Sequence, residues 1–287
     1  MSIRVVSANG LNLPALGQGG WHIGDAPDKA QIEMAALQTG MDLGLTLIDT
    51  AEMYGEGKSE RLIGGMLAGR KRGECQLVSK VYPHNAGRGR MDASCDASLK
   101  RLRTDYLDLY LLHWRGSVPL AETVACMQAL VKSGKIRRWG VSNFDTADME
   151  ELWAIPDGPN CAVNQVLYHL GSRGIEYDLI PWLRAHQVAV MAYCPLAQGG
   201  SLQRAGQGYQ RVQTLTAVAA KYGITVMQLM LGFVLRQDHV IAIPKAGSPA
   251  HVRENAAILD VSISPDDWAT VDRAYPPPAG KMPLDII

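Results

Sequence analysis

YLDLYLLHWRGSVPLAETVACMQALVKSGKIRRWGV, residues 106–141, holds one complete strand–helix–strand unit. It opens on a short apolar run rich in strand-forming residues (106–112). It then passes a stretch with helically spaced apolar residues, Leu120–Ser133, and returns to a second apolar run (136–141). Alternation of this kind implies a parallel sheet whose crossovers are helices.

The same pattern extends in both directions. Further strand-like runs occur at 45–49, 76–81, 162–167, 188–193 and 239–243, and the segment Ala15–Gln18 supplies one more. Helical spacing fills the gaps at Ala30–Gly44, Ser59–Gly69, Met91–Arg103, Asp145–Trp153, Ile175–His186 and Thr214–Gln237, the last broken at Gly223. Eight units favour closure into a (β/α)8 TIM barrel over a doubly wound open sheet. Ahead of them, IRVVS and LNL flank Asn9-Gly10, which predicts an N-terminal β-hairpin. The expected architecture is one α/β domain over 1–287, with extra helices at the C-terminal end.

Composition narrows the function. The 287 residues are 47% hydrophobic and 20% charged with zero net charge, so no basic nucleic-acid surface or acidic tail is indicated. No run approaches the roughly 18 apolar residues of a membrane span, and MSIRVVSANG lacks a signal-peptide core. Five widely spaced cysteines without a CxxC pair read as free thiols in a reducing cytoplasm. A monomer without membrane or nucleic-acid partners is expected. Gly64–Lys71 imitates a P-loop, but Arg70 stands where lysine is required and the segment lies inside a helical pattern. There is no HExxH or GxSxG, and the seven histidines show no ligand spacing, so no metal site is expected.

In a parallel barrel the chemistry belongs at the carboxyl ends of strands. Those positions hold Asp49, Tyr54 five residues on, Lys80 and His113. Taken singly, each has an ordinary alternative: a cap, a packing ring, a solvated strand end, a satisfied buried imidazole. Together, at successive barrel mouths, they suggest one machine. Asp49 holds Lys80 charged, Lys80 lowers the pKa of Tyr54 so that it serves as an acid, and His113 donates a hydrogen bond to a carbonyl oxygen.

LTLIDTAEMYGEGKSE (45–60), LVSKV (77–81), DYLDLYLLHW (105–114), GKIRRWGVSN (134–143), NQVLYH (164–169), AYCPLAQGG (192–200) and Ile243-Pro-Lys245 with Glu254-Asn255 resemble the successive signatures of the aldo-keto reductase superfamily. The resemblance runs from the hairpin to about Leu259. It is greatest to the bacterial branch that includes methylglyoxal reductase and the 2,5-diketo-D-gluconate reductases. It implies NADPH-dependent reduction of small aldehydes and ketones, 2-oxoaldehydes such as methylglyoxal included, with NADH a weaker cofactor. By the same resemblance Asp49, Tyr54, Lys80 and His113 form the catalytic tetrad. Ser142, Asn143 and Gln165 hold the nicotinamide carboxamide, and Tyr193 stacks on its ring. Gly20, Asp49, Leu196 and Gln198 lie along the cofactor, and Lys245, His251, Glu254 and Asn255 meet its adenosine end. Relatives that prefer NADP usually carry an arginine six residues after the lysine, where this chain has His251.

Trp21, Tyr82 and Trp114 are expected to ring the carbonyl site together with His113, making an apolar pocket. Short loops and the brief segment after Asn255 predict an open, permissive pocket, with Arg115 either a carboxylate anchor or a rim charge. Two rival functions remain. A nicotinamide-sensing regulatory subunit of this fold carries asparagine where this chain has His113. A Schiff-base lyase needs a neutral Lys80, which Asp49 disfavours.

Overall fold

Asn9 and Gly10 both take positive φ, 43° and 76°, the geometry of a two-residue hairpin turn between β1 (Val5–Ala8) and β2 (Leu11–Pro14). Val6 pairs with Leu13 and Ala8 with Leu11, so one face of the hairpin is apolar and buried. That face packs against Leu47, Val78, Leu109, Val163 and Ile241 from five barrel strands and forms the barrel's floor. Residues 3–200, 202 and 208–287 are described, in a computed structural model of the chain.

Eight parallel strands follow: β3 (Gln18–Gly19), β4 (Leu47–Asp49), β5 (Gln76–Val81), β6 (Leu107–Leu112), β7 (Ile136–Ser142), β8 (Val163–Leu167), β9 (Ala189–Tyr193) and β10 (Val240–Ala242). Each pairs with the next in sequence. The circle closes where Leu16 bridges Ala242 and Gly19 N–H donates to the Pro244 carbonyl at 3.0 Å. The first strand is the shortest, and glycines at its end let the backbones crowd. A Cβ on Gly20 would stand 2.6 Å from the Asp49 carbonyl oxygen.

Side chains alternate along the strands. In β5, Leu77 and Val81 join the outer core beneath the helices, while Val78 joins the inner one. Lys80 shares the inner face with Val78, one step nearer the mouth, and is wholly buried. The helices begin where polar caps occur. Asp145 and Asp148 form a capping box for Thr146–Trp153, and Thr225 with Gln228 does the same for Val226–Leu235. Gly223, at φ 62°, separates that helix from Gly208–Lys221, with an 86° bend between them. The C-terminal helices Pro249–Ala257 and Pro265–Ala274 each start on proline behind a serine cap. The expected helix at Ile175–His186 is shorter, Leu179–Ala185. A 3-10 turn precedes it, in which Glu176 is drawn to Arg173 and the Tyr168 hydroxyl. Among the described residues no single helix is long and apolar enough to cross a membrane.

Candidate active site

Asp49 ends β4 and Lys80 lies in the adjacent β5, so strand pairing brings a carboxylate and an ammonium together at the mouth of the barrel. Lys80 Nζ is 2.9 and 2.8 Å from the two Asp49 oxygens, 2.8 Å from the Thr50 carbonyl and 2.9 Å from the Tyr54 hydroxyl. Tyr54 follows β4 in a tight series of turns, and the Tyr54 and His113 rings meet edge-on at 5.8 Å. His113 continues the β6 ladder by donating its backbone N–H to Val81 O at 3.0 Å. The four side chains thus converge as the sequence suggests.

Their electrostatics differ from expectation at one point. Lys80 does not bring Tyr54 into the range of a ready acid. Burial first, and the Asp49 charge second, push the Tyr54 phenol well above its usual value. Burial outweighs the neighbouring ammonium, so Tyr54 keeps its proton while its hydroxyl stays in hydrogen-bond contact with Lys80 Nζ. Burial also lowers the Lys80 pKa, and Asp49 opposes that shift. For Asp49 burial raises the pKa while Lys80 lowers it. His113 is pushed down to about 2 by burial and by the Lys80 charge, and is therefore neutral. Its Nδ1 is buried without a hydrogen-bond partner. An orphaned N–H is the costlier of the two orphans, which places the proton on Nε2.

A cavity of about 620 Å³ opens over these groups. Asp49, Tyr54 and His113 line it, with Lys80 behind them. Ser142, Asn143, Gln165 and Tyr193 form the next part of the wall. Ser142 Oγ donates to the Gln165 carbonyl at 2.8 Å, and Gln165 Nε2 donates to Asp49 Oδ1 at 2.8 Å. Asn143 Nδ2 donates to the His113 carbonyl at 3.1 Å, and the Tyr193 hydroxyl donates to Asn143 Oδ1 at 2.9 Å. Leu196 and Gln198 follow in a left-handed turn, and Lys245, His251, Glu254 and Asn255 close the far end.

Buried amides beside an aromatic ring at one end, and a lysine with a helix start at the other, suit a nicotinamide dinucleotide. Lys245 and His251 would face its phosphate-bearing end, and Ser142, Asn143 and Gln165 its carboxamide.

Gly20 does not line the cavity; Gly19 does. Of the three expected pocket aromatics only Trp21 is in the wall. Tyr82 and Trp114 pack edge-on against each other at 5.9 Å, with Trp114 beside His113 at 4.9 Å, so they flank the site from outside. Arg115 is no carboxylate anchor: Asp148 and Glu151 hold it at 2.8 and 2.7 Å. Sequence reasoning missed His22, Met53, Cys194, Met227 and Ile287, all of which line the cavity. Ile287 also corrects the expectation of an uncovered mouth, because the C-terminal segment folds back to it. Cys194 and Met227 adjoin Tyr193 and the Thr225 cap and could have been found from those signals; Ile287 carried none.

The sequence matches the aldo/keto reductase family over residues 15–276. It is 52% identical to methylglyoxal reductase YeaE of Escherichia coli K12 across the whole of both chains. Glyoxal reductase of Bacillus subtilis is 33% identical over 92% of this chain and 90% of its own length. An aldo/keto reductase of Klebsiella pneumoniae, crystallised in complex with NADP and acetate, superposes with a TM-score of 0.95 at 52% identity, with both chains fully covered.

Proposed function

The chain belongs to the aldo/keto reductase family; on that premise we propose that it is an NADPH-dependent carbonyl reductase that reduces small aldehydes and ketones, methylglyoxal-like 2-oxoaldehydes among them, with Tyr54 as proton donor. One observation carries this reading: the Tyr54 hydroxyl lies in the cavity wall, 2.9 Å from Lys80 Nζ and beside a neutral His113.

A nicotinamide held by Ser142, Asn143, Gln165 and Tyr193 would supply the hydride that the carbonyl carbon accepts. His113 Nε2–H and the Tyr54 hydroxyl converge on the carbonyl oxygen, and their donors polarise it for attack. As negative charge develops there, Tyr54 gives up its proton and the alcohol forms. The elevated Tyr54 pKa keeps that proton in place until an oxyanion is generated. Lys80, at hydrogen-bond distance, then stabilises the transient phenolate, which regains a proton from solvent. Asp49 fixes the ammonium, and Gln165 fixes Asp49. Trp21, Met53 and Ile287 give the substrate an apolar wall, which suits small uncharged groups.

Mixing the purified protein with NADPH and methylglyoxal and following nicotinamide absorbance tests the reading. Steady oxidation is expected, with bulky ketosteroids far poorer in kcat/KM. A preference for steroids, or turnover of simple aldehydes without any of methylglyoxal, would overturn it.

A further inference from the structure

The last twelve residues return across the barrel mouth and are tied down on the way. Lys281 Nζ meets Asp178 Oδ2 at 3.2 Å, and Met282 Cβ lies 3.4 Å from where a Cβ on Gly174 would stand. Ser172, buried in the turn after β8, donates its hydroxyl to Asp285 Oδ2 at 2.6 Å. Two residues later Ile287 is part of the cavity wall. Two extended residues span at most about 7 Å, so the Asp285 backbone lies within that distance of the Ile287 backbone. With a side-chain length added, the carboxylate lies at a distance comparable with the screening length of about 8–10 Å at ordinary ionic strength. The tyrosine at the same wall registers the charge. Burial raises the Tyr193 pKa, the Ile287 backbone N–H lowers it, and Cys194 and Asp285 raise it further.

The charge around this end is one-sided. Arg115 is held by Asp148 and Glu151, Arg173 by Glu176 and Asp272, and Lys281 by Asp178. Lys80 is closed off by Asp49, and His22 pairs with Asp25. Asp285 has no cationic partner among the described residues. The Ser172 hydroxyl fixes its position and leaves its charge intact.

We propose that Asp285, pinned at the mouth by Ser172, is a specificity-determining residue that turns the carbonyl pocket toward uncharged small aldehydes and against substrates bearing a carboxylate. The proposal rests on the carbonyl-reductase reading and narrows it. Ile287 offers apolar contact to any small substrate, while the neighbouring carboxylate repels a second carboxylate entering beside it. The barrier is electrostatic, so it acts chiefly on binding and weakens with salt.

The test uses 4-nitrobenzaldehyde and 4-carboxybenzaldehyde, which are similar in size and differ in charge. For Asp285→Asn at low ionic strength, kcat/KM for the carboxylated aldehyde relative to the nitro compound should rise about threefold to tenfold. The gain should lie in KM and shrink in roughly 0.5 M salt. Ser172→Ala, which keeps the charge but frees it from its pin, should raise the ratio in the same direction and by less than Asp285→Asn does. An unchanged ratio in Asp285→Asn overturns the proposal. So does a gain in Asp285→Asn that persists undiminished in roughly 0.5 M salt, because tail position and not charge would then be the cause. If neither aldehyde oxidises NADPH in the wild-type protein, the carbonyl-reductase reading itself fails.

Discussion

Two buried carboxylates stand at opposite ends of the same barrel and have opposite duties. Asp108, at the amino end of β6, takes Arg72 at 2.7 Å, Arg137 at 3.0 Å and the Leu77 N–H at 2.9 Å. Arg72 also bonds Thr104 and the Cys75 and Tyr106 carbonyls, and both guanidiniums lie over the Tyr106 ring at 3.9 and 4.4 Å. Every group there is occupied, and the cations are rigid and permanently charged. Asp49, at the other end, has one buried ammonium that is shared with the hydroxyl of a tyrosine facing a cavity. A saturated pair fixes structure. A pair whose ammonium also touches a hydroxyl in a cavity wall can take part in proton transfer.

The sharpest way to break this contrast is to remove one hydroxyl. Tyr54→Phe should lower kcat by about 10²–10⁴, the usual loss for a general acid. NADPH affinity and thermal midpoint should stay close to wild type, since the aromatic ring and its packing remain. Near-wild-type kcat in the purified variant would end the assignment. The converse substitution, Asp108→Asn, should cost about 3 kcal/mol of stability by leaving two guanidiniums short of a counter-charge. Its kcat with a saturating aldehyde should be unchanged. A variant that loses turnover and keeps its denaturation midpoint would reverse the roles given to the two ends.

His113 sharpens the comparison through pH. Its folded pKa is depressed to about 2, against about 6.5 in an unfolded chain. Between those values the unfolded chain binds the proton and the native one does not. The stability contributed by neutral His113 is therefore complete above about 6.5 and is lost as pH falls. From pH 7 to pH 5 the wild type should lose about 2 kcal/mol more than His113→Gln, read as the difference between urea unfolding curves. Parallel curves for the two proteins would mean that the imidazole titrates normally in the fold.

Much of this was legible because strands and chemistry coincide. The run at 76–81 is β5 residue for residue, and a lysine ending such a run already asked for an explanation. The hairpin was visible in Asn9-Gly10. What escaped was whatever depends on closure in three dimensions. The first barrel strand is two residues long, and Gly19 and Gly20 admit backbone crowding at its end, which leaves little periodic signal. Tyr82 and Trp114 follow strand ends as pocket residues should, yet they turn to each other, and Trp114 to His113. Ile287 lies in an irregular tail whose path is set by Ser172 and Asp178, more than a hundred residues away. The Tyr54 shift runs opposite to the expectation because burial of the phenol, which a motif does not display, outweighs the nearby Lys80.

The smallest expected effect lies at the adenosine end, where the question is again which cation a position carries. Lys245 Nζ is 3.8 Å from Glu33 Oε1, a buried carboxylate that also accepts the Gly24 N–H at 2.8 Å, so part of the lysine's charge is already balanced. His251 is the third residue of the helix Pro249–Ala257 and lines the cavity; Arg253, exposed and two residues on, does not. Exposed amide ends at such a helix start favour an anion, and an arginine there can grip a phosphate with two donors where a neutral imidazole offers one. NADPH should bind more tightly than NADH by on the order of 1–3 kcal/mol, the range for charge-assisted hydrogen bonds. His251→Arg should improve NADPH affinity about tenfold, or roughly 1.4 kcal/mol, and move NADH by less than about twofold. The helix itself should be unaffected, because its cap is the Ser248 hydroxyl and position 251 contributes only its backbone N–H, at 3.4 Å. Fluorescence titration of both proteins with both cofactors checks this. Equal gains for NADPH and NADH would show that position 251 acts on a part of the cofactor common to both, and that the 2′-phosphate is not read there.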